Sequence, residues 1–156
     1  MWRIAFVLIT TLLGISAAPV DAATLNVANY GIDSDTCGAK KAPCRSVSRA
    51  IVNAAVGDTI VVGPGRYGDL NGDGNFGGPG EEAGPAGCGC MIEVNKRLTL
   101  QSSDGAGVTI LDAASLTEVH GISVRADGVT LVAARATALR LSMLVIAGSS
   151  LKTGSV

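Results

Sequence analysis

An all-β solenoid with an N-terminal capping helix is the fold class this sequence predicts. Three observations predict it: a self-similarity at about 30 residues, strands too short to bury themselves singly, and an apolar content that is mostly aliphatic. Ile92-Glu93-Val94, followed by Leu98-Thr99-Leu100, recurs as Ile122-Ser123-Val124 followed by Val129-Thr130-Leu131. Val108-Thr109-Ile110-Leu111 supplies a further strand between the two copies, and Ile60-Val61-Val62 lies a similar distance upstream of Ile92 across a long loop. Val and Ile at alternate positions would stack coil on coil as inward ladders, with Thr99, Thr109 and Thr130 between them and facing outward. Hydrophobic residues make up 47% of the 156-residue chain and aromatics only 3%, which suits a narrow core of stacked aliphatic side chains.

Charge excludes some partners. A formal net charge of −1 gives no reason to expect nucleic acid or an anionic membrane surface. The charged fraction of 16%, without Pro or Gln/Asn enrichment, also argues against a disordered chain.

Residues 1–22 read as a secretory signal. Arg3 precedes an apolar run from Ile4 to Ala18 that is short for a membrane span, and Val20-Asp21-Ala22 places compatible residues before a cut after Ala22. The mature chain then begins at Ala23 without a membrane span, and is secreted, periplasmic or held at the cell surface. An uncleaved N-terminal anchor is the alternative. Thr24-Leu25-Asn26-Val27 is a short alternating strand, and Gly31 to Thr36 is turn chemistry. A helix follows over 46–56: Ser46 is its N-cap, Val47, Ala50, Ile51, Ala54 and Ala55 form one apolar stripe, and Gly57 stops it. A solenoid needs its first coil covered, and this helix is placed to do so. Asp58 to Val62 is a β-branched strand ended by the turn Gly63-Pro64-Gly65.

Export makes disulfides the default for Cys37, Cys44, Cys88 and Cys90. Three pairings are open to four cysteines. The short segment between Cys37 and Cys44 favours that pair, leaving Cys88 with Cys90, whose Cys-Gly-Cys ring demands an unusual backbone. A metal thiolate is the other reading, but the chain has no Cys-x2-Cys pair, and its one histidine, His120, has no partner at ligand spacing.

The run Asp35-Thr36-Cys37, Ala42-Pro43-Cys44-Arg45-Ser46-Val47, Gly57-Asp58-Thr59-Ile60-Val61-Val62-Gly63-Pro64-Gly65-Arg66-Tyr67 and Lys96-Arg97-Leu98-Thr99-Leu100 resembles the N-terminal region of secreted proteins of the pectin-lyase-like superfamily. The resemblance spans residues 24–131. It implies a right-handed parallel β-helix, three parallel sheets behind a helical cap, and it leaves the reaction open, because that superfamily holds lyases, hydrolases and adhesins alike. On this reading residues 23–134 form the β-helix domain, with a Gly-rich insertion over 68–90. Residues 135–156 form an atypical tail whose stretch from Val132 to Ile146 reads as a short helix. The domain has about four coils, fewer than usual for the family, so the chain is expected to be a shortened product of a longer gene, which translation of the downstream DNA would test. An open last coil is expected to self-associate, which sedimentation would detect.

One segment carries a metal-binding pattern. Asp69, Asn71, Asp73 and Asn75 occupy the first, third, fifth and seventh positions of a calcium loop, with Gly74 at its sharp turn and Phe76 at the apolar eighth position. The twelfth position is Gly80 where a bidentate acid belongs, so Ca2+ would bind weakly, at about 10⁻⁴ to 10⁻³ M. The same residues are also ordinary turn formers. Lys96 and Arg97 invite comparison with basic residues that neutralise uronates or abstract protons in lyases, yet they stand in a turn of the coil framework. Glu81, Glu82 and Glu93 have no spacing that makes them an acid pair. The expected function is a secreted, non-catalytic β-helix domain binding polysaccharide or a cell-surface component. A fragment of a polysaccharide lyase or hydrolase, and a structural or adhesin-like fragment, are the alternatives.

Overall fold

The computed structural model describes residues 21–73, 76, 78–82, 84–105, 107–113, 120–132, 135–137 and 150–152. Nearly all of the signal segment, residues 1–20, therefore lies outside the described residues. The fold is β-rich with little helix. Its elements are β1 (Thr24–Val27), α1 (Val47–Asn53), β2 (Thr59–Val62), β3 (Gly65–Gly68), β4 (Cys90–Val94), β5 (Thr99–Ser102), β6 (Thr109–Asp112), β7 (His120–Val124), β8 (Thr130–Val132), β9 (Arg135–Thr137) and β10 (Ser150–Lys152). They build three small sheets, in the orders β1-β2-β5-β8-β10, β3-β6-β9 and β4-β7. Every strand pairing in these sheets is parallel. Parallel neighbours cannot be joined by a tight hairpin; from β2 to β9 the chain instead visits the three sheets in the same cyclic order before returning beside the strand it left.

The sequence repeat becomes a hydrogen-bonding register. Ile92 pairs with Ile122 and Val94 with Val124 in one sheet, while Thr99 pairs with Thr130 and Leu100 with Leu131 in another. The largest sheet stacks Leu25, Ile60, Leu100, Leu131 and Leu151 in one row. Leu25, Ile60, Leu100, Ile92, Ile122, Val94 and Val124 are buried in the single core cluster. Full burial of such a side chain stabilises by about 1.5–3 kcal/mol, and alternation along each strand turns that gain into a fixed register.

Two expectations about these ladders are corrected. Ile60-Val61-Val62 shares a sheet with Leu100 and not with Ile92, because the separate strand β3 and the insertion intervene before β4. Thr109, expected to face outward, is buried at 1% exposure. Its hydroxyl lies 2.8 Å from the Ser102 hydroxyl and donates to the Gly63 carbonyl at 3.2 Å, so a satisfied polar group replaces an aliphatic one in the interior.

Ser46 caps α1 as the sequence indicates, its hydroxyl accepting from the Arg49 amide at 3.1 Å. Val47, Ala50 and Ile51 are buried, and the helix lies against β1, β2 and β4. It ends at Asn53, short of Gly57, for an electrostatic reason. The buried Asp58 carboxylate accepts the Ala55 amide at 2.8 Å, Lys96 Nζ donates to the Ala54 carbonyl at 2.9 Å, and Ala54 is already extended. The tail also departs from its helical reading: Arg135–Thr137 forms a strand beside β6, and Ser150–Lys152 forms one beside β8. Residues 138–149 lie outside the described residues.

Candidate functional site

Immediately after β1 the chain is strapped in a bent path against the segment before α1. The Ala28 amide donates to the Cys44 carbonyl at 2.9 Å, the Gly31 amide to Ala28 at 2.8 Å, and the Ile32 amide to Pro43 at 3.2 Å. Gly31 is required there, since a Cβ would collide with the backbone carbonyls of Pro43 and Cys44. Asp33 closes the strap by accepting the Arg45 amide at 2.8 Å and the Ser46 amide at 2.9 Å through one carboxylate oxygen. The Cys37–Cys44 disulfide crosslinks the same segment. A backbone so heavily tied nevertheless holds two large apolar side chains in water: Tyr30 is 77% exposed and Ile32 79%.

These residues rim an open cavity of about 330 Å³, whose lining includes Asn29, Tyr30, Ile32, Asp33, Arg45 and Gly80. Among the described residues, Arg45 is the one cation in its lining. The guanidinium lies 5.7 Å from the centre of the buried Tyr67 ring, within cation–π range. Tyr67 donates its hydroxyl to the Gly63 carbonyl at 3.0 Å, and burial pushes its ionisation up to about 12 although the Arg45 charge pulls the other way. Tyr67 is thus a neutral aromatic face beneath Arg45. Among the described residues, Arg45 Nη1 is the one buried side-chain nitrogen or oxygen without a hydrogen-bond partner. A charged donor in that state is costly, and the nearby Tyr67 ring face offsets part of that cost.

The Gly-rich insertion supplies the far wall. Gly80 abuts Arg45, and a Cβ there would lie 3.0 Å from the guanidinium Nε. Gly80 stands at the position where the calcium-loop pattern calls for an acid. Glu81 clasps its own loop, accepting the Leu70 and Asn71 amides at 3.1 Å with one oxygen and the Gly78 amide at 2.8 Å with the other. Glu82 reaches further. Fully inside the protein, its carboxylate accepts the Val47 amide, the Ser48 amide and the Ser48 hydroxyl, each at 2.7 Å. It supplies the negative group that the first turn of α1 lacks. Burial raises its pKa, opposed by the Val47 and Ser48 hydrogen bonds and reinforced by Asp33. No periodicity marks Glu82 in the sequence; the only signal is an acidic pair set within a Gly/Pro-rich stretch.

The other sequence candidates fall as follows. Asp69 is buried and accepts the Gly72 amide at 2.7 Å; Asn71 accepts the Asp73 amide at 2.8 Å and donates from Nδ2 to Asp73 at 3.1 Å. These three oxygen-bearing side chains share one tight turn, an all-oxygen set of the kind calcium takes. Asn75 lies outside the described residues. Lys96 is occupied by the α1 carbonyls, Arg97 packs on Gly128, and Glu93 pairs with Arg125 at 2.9 Å, so none of them lines the cavity. Asp33, Cys37 and Cys44 bring ligand atoms within 4.8 Å of one another, but both sulfurs are joined in the disulfide and are not thiolates. The second disulfide joins Cys88 and Cys90. His120 opens β7 opposite Cys90. No helix among the described residues is long and apolar enough to cross a membrane. No family model, curated protein or solved structure matches this chain.

Proposed function

We propose that this protein is an exported, non-catalytic domain of right-handed parallel β-helix type, and that the cavity beside α1 binds a carboxylated polysaccharide. The cyclic passage of parallel strands through three sheets supports the solenoid reading. The observation that carries the binding reading is Arg45: a guanidinium held on an aromatic ring and lining an open cavity beside the exposed Tyr30. A carboxylate fits better than a phosphate dianion, because the lining holds one cation beside the Asp33 anion and a planar guanidinium matches carboxylate geometry. Tyr30 offers an exposed face on which a sugar ring can stack.

Affinity electrophoresis of the exported chain through gels containing polygalacturonate tests this reading, with the fully methyl-esterified polymer as control. Retardation by the acidic polymer is expected, weakened about tenfold or more by Arg45→Gln, in line with the ~1.5–3 kcal/mol of a charge-assisted hydrogen bond. Tyr30→Ala should weaken binding without lowering the melting point. Release of unsaturated or reducing sugar ends during the run would instead favour the lyase or hydrolase reading. Absence of retardation by any acidic polymer rejects the binding reading. The turn carrying Asp69, Asn71 and Asp73 is proposed as a weak Ca2+ site that stiffens the wall of the same cavity.

A further inference from the structure

The first strand starts beside a buried carboxylate. Asp21, Ala22 and Ala23 are all exposed coil, and Ala23 is hydrogen-bonded through both its backbone groups. Its carbonyl accepts the Thr59 amide at 2.9 Å and its nitrogen donates to Asp58 Oδ1 at 2.8 Å. Asp58 is 5% exposed, and its other oxygen is engaged by the Ala55 amide at 2.8 Å. The register of β1 on β2, Thr24 opposite Thr59, is what brings Ala23 beside Asp58. The bond preceding Ala23 is also the one that the Val20-Asp21-Ala22 pattern marks for cleavage. The residue that would become the N-terminus on that pattern is the one that donates to Asp58.

We infer that Asp58 is the docking site for the α-ammonium created when the Ala22–Ala23 bond is hydrolysed. Water adds across that amide, giving the Ala22 carboxylate on the released leader and the Ala23 amine, which takes up a proton. The nitrogen that donated to the Asp58 carboxylate as a neutral amide then carries a full positive charge 2.8 Å from it, so a hydrogen bond to an anion becomes an ion pair. The ammonium adds a direct Coulomb attraction between opposite charges that the amide lacked. Asp58 ties the first strand, the end of α1 and the start of β2 together, so removal of the leader tightens the junction from which the three sheets start. Maturation is thereby coupled to stability: the precursor keeps a looser first strand, suited to passage across a membrane, and the mature chain locks it. The inference rests on the export half of the function proposed above and is independent of the ligand cavity.

Two measurements test it. The full chain is expressed with its own leader in a secreting bacterial host, and the exported product is read by intact mass and N-terminal sequencing. A mature chain beginning at Ala23 is expected; a cut at another bond, or retention of the uncut chain, overturns the inference. The exported chain is then compared with the same chain acetylated at its α-amino group, which keeps the N–H donor and removes the charge. The free ammonium is expected to raise the melting point by several degrees over the acetylated form, a difference that disappears in Asp58→Asn. Should that variant not fold, the acetylation comparison alone decides, and equal melting points overturn the docking of the ammonium while leaving the cleavage result standing.

Discussion

The ladder strands and the Gly-rich insertion hold the protein together by opposite means. In the ladders each position repeats a neighbour: Leu25, Ile60, Leu100 and Leu131 do the same work in successive strands, and the stabilisation is distributed over many similar contacts. In the insertion no contact has a copy. Glu81 gathers the loop, Glu82 ties it to α1, and Gly80 presses on Arg45, each through groups that occur once. Distributed apolar burial tolerates drift at any one position, whereas the insertion depends on a few polar atoms being satisfied together. The cavity lies where the two regimes meet, with β1 and its strap on one side and the insertion on the other.

The largest effect should come from cutting a ladder. Ile60 is fully buried in the middle of the Leu25–Leu100 row, and Ile60→Ala leaves a cavity that the flanking parallel strands cannot collapse to fill. A loss of about 2–5 kcal/mol in urea unfolding is expected. A loss below about 1 kcal/mol would mean that the row does not carry the fold.

Glu82 is the corresponding element of the insertion, and it differs from the ladder in responding to pH. Its native pKa is raised above its unfolded value, chiefly by burial. The folded state therefore favours the protonated acid, and the stability linked to Glu82 is present in full below the ordinary value of 4.5 and declines as pH rises through the raised native value. Protonation does not strand the partners. Glu82 Oε2–H can donate to the Ser48 hydroxyl, which can then turn to the Met91 carbonyl 3.5 Å away. Glu82→Gln should flatten this part of the pH–stability profile, and near neutrality it should cost about 1–3 kcal/mol, because an amide nitrogen would then face the Ser48 amide. An unchanged pH profile would show that the carboxylate is not the responsive group.

The same contrast explains what the sequence made legible. Leu98-Thr99-Leu100 and Val129-Thr130-Leu131 advertise their pairing because periodic burial leaves a periodic trace. Ser46 was legible as a cap because capping needs a short polar side chain at one defined position. Glu82, Gly80 and Arg45 left no such trace, since the contacts between them span long stretches of chain and depend on how the insertion folds back. Arg45 follows Cys44 in the stretch that resembles β-helix N-terminal regions, yet only its placement over Tyr67 gives it a role. Thr109 was misassigned outward because alternation alone cannot distinguish an outward threonine from an inward one whose hydroxyl is satisfied by Ser102 and Gly63. The end of α1 was overextended because its terminator, Asp58, acts through a side chain and not through the helix's own pattern.

The smallest effect is expected from calcium, and its size follows from the fold. Asp69 and Asn71 already accept amides of their own turn, and Glu81 already binds the loop's backbone with both oxygens. An ion would find the turn half-organised but would lack a bidentate acid, since Gly80 is held in that place against Arg45. With a dissociation constant of about 10⁻⁴ to 10⁻³ M, 1 mM Ca2+ would add about 0.4–1.4 kcal/mol by mass action. Thermal melting of the exported chain should therefore rise by only a few degrees with Ca2+, not at all with Mg2+ at the same concentration, and not in Asp73→Ala. A rise as large as the loss in Ile60→Ala would mean that an ion organises the insertion. Insensitivity to Ca2+ would mean that Glu81 and Glu82 suffice to do so, and the wall of the cavity would then be held by carboxylates and backbone amides alone.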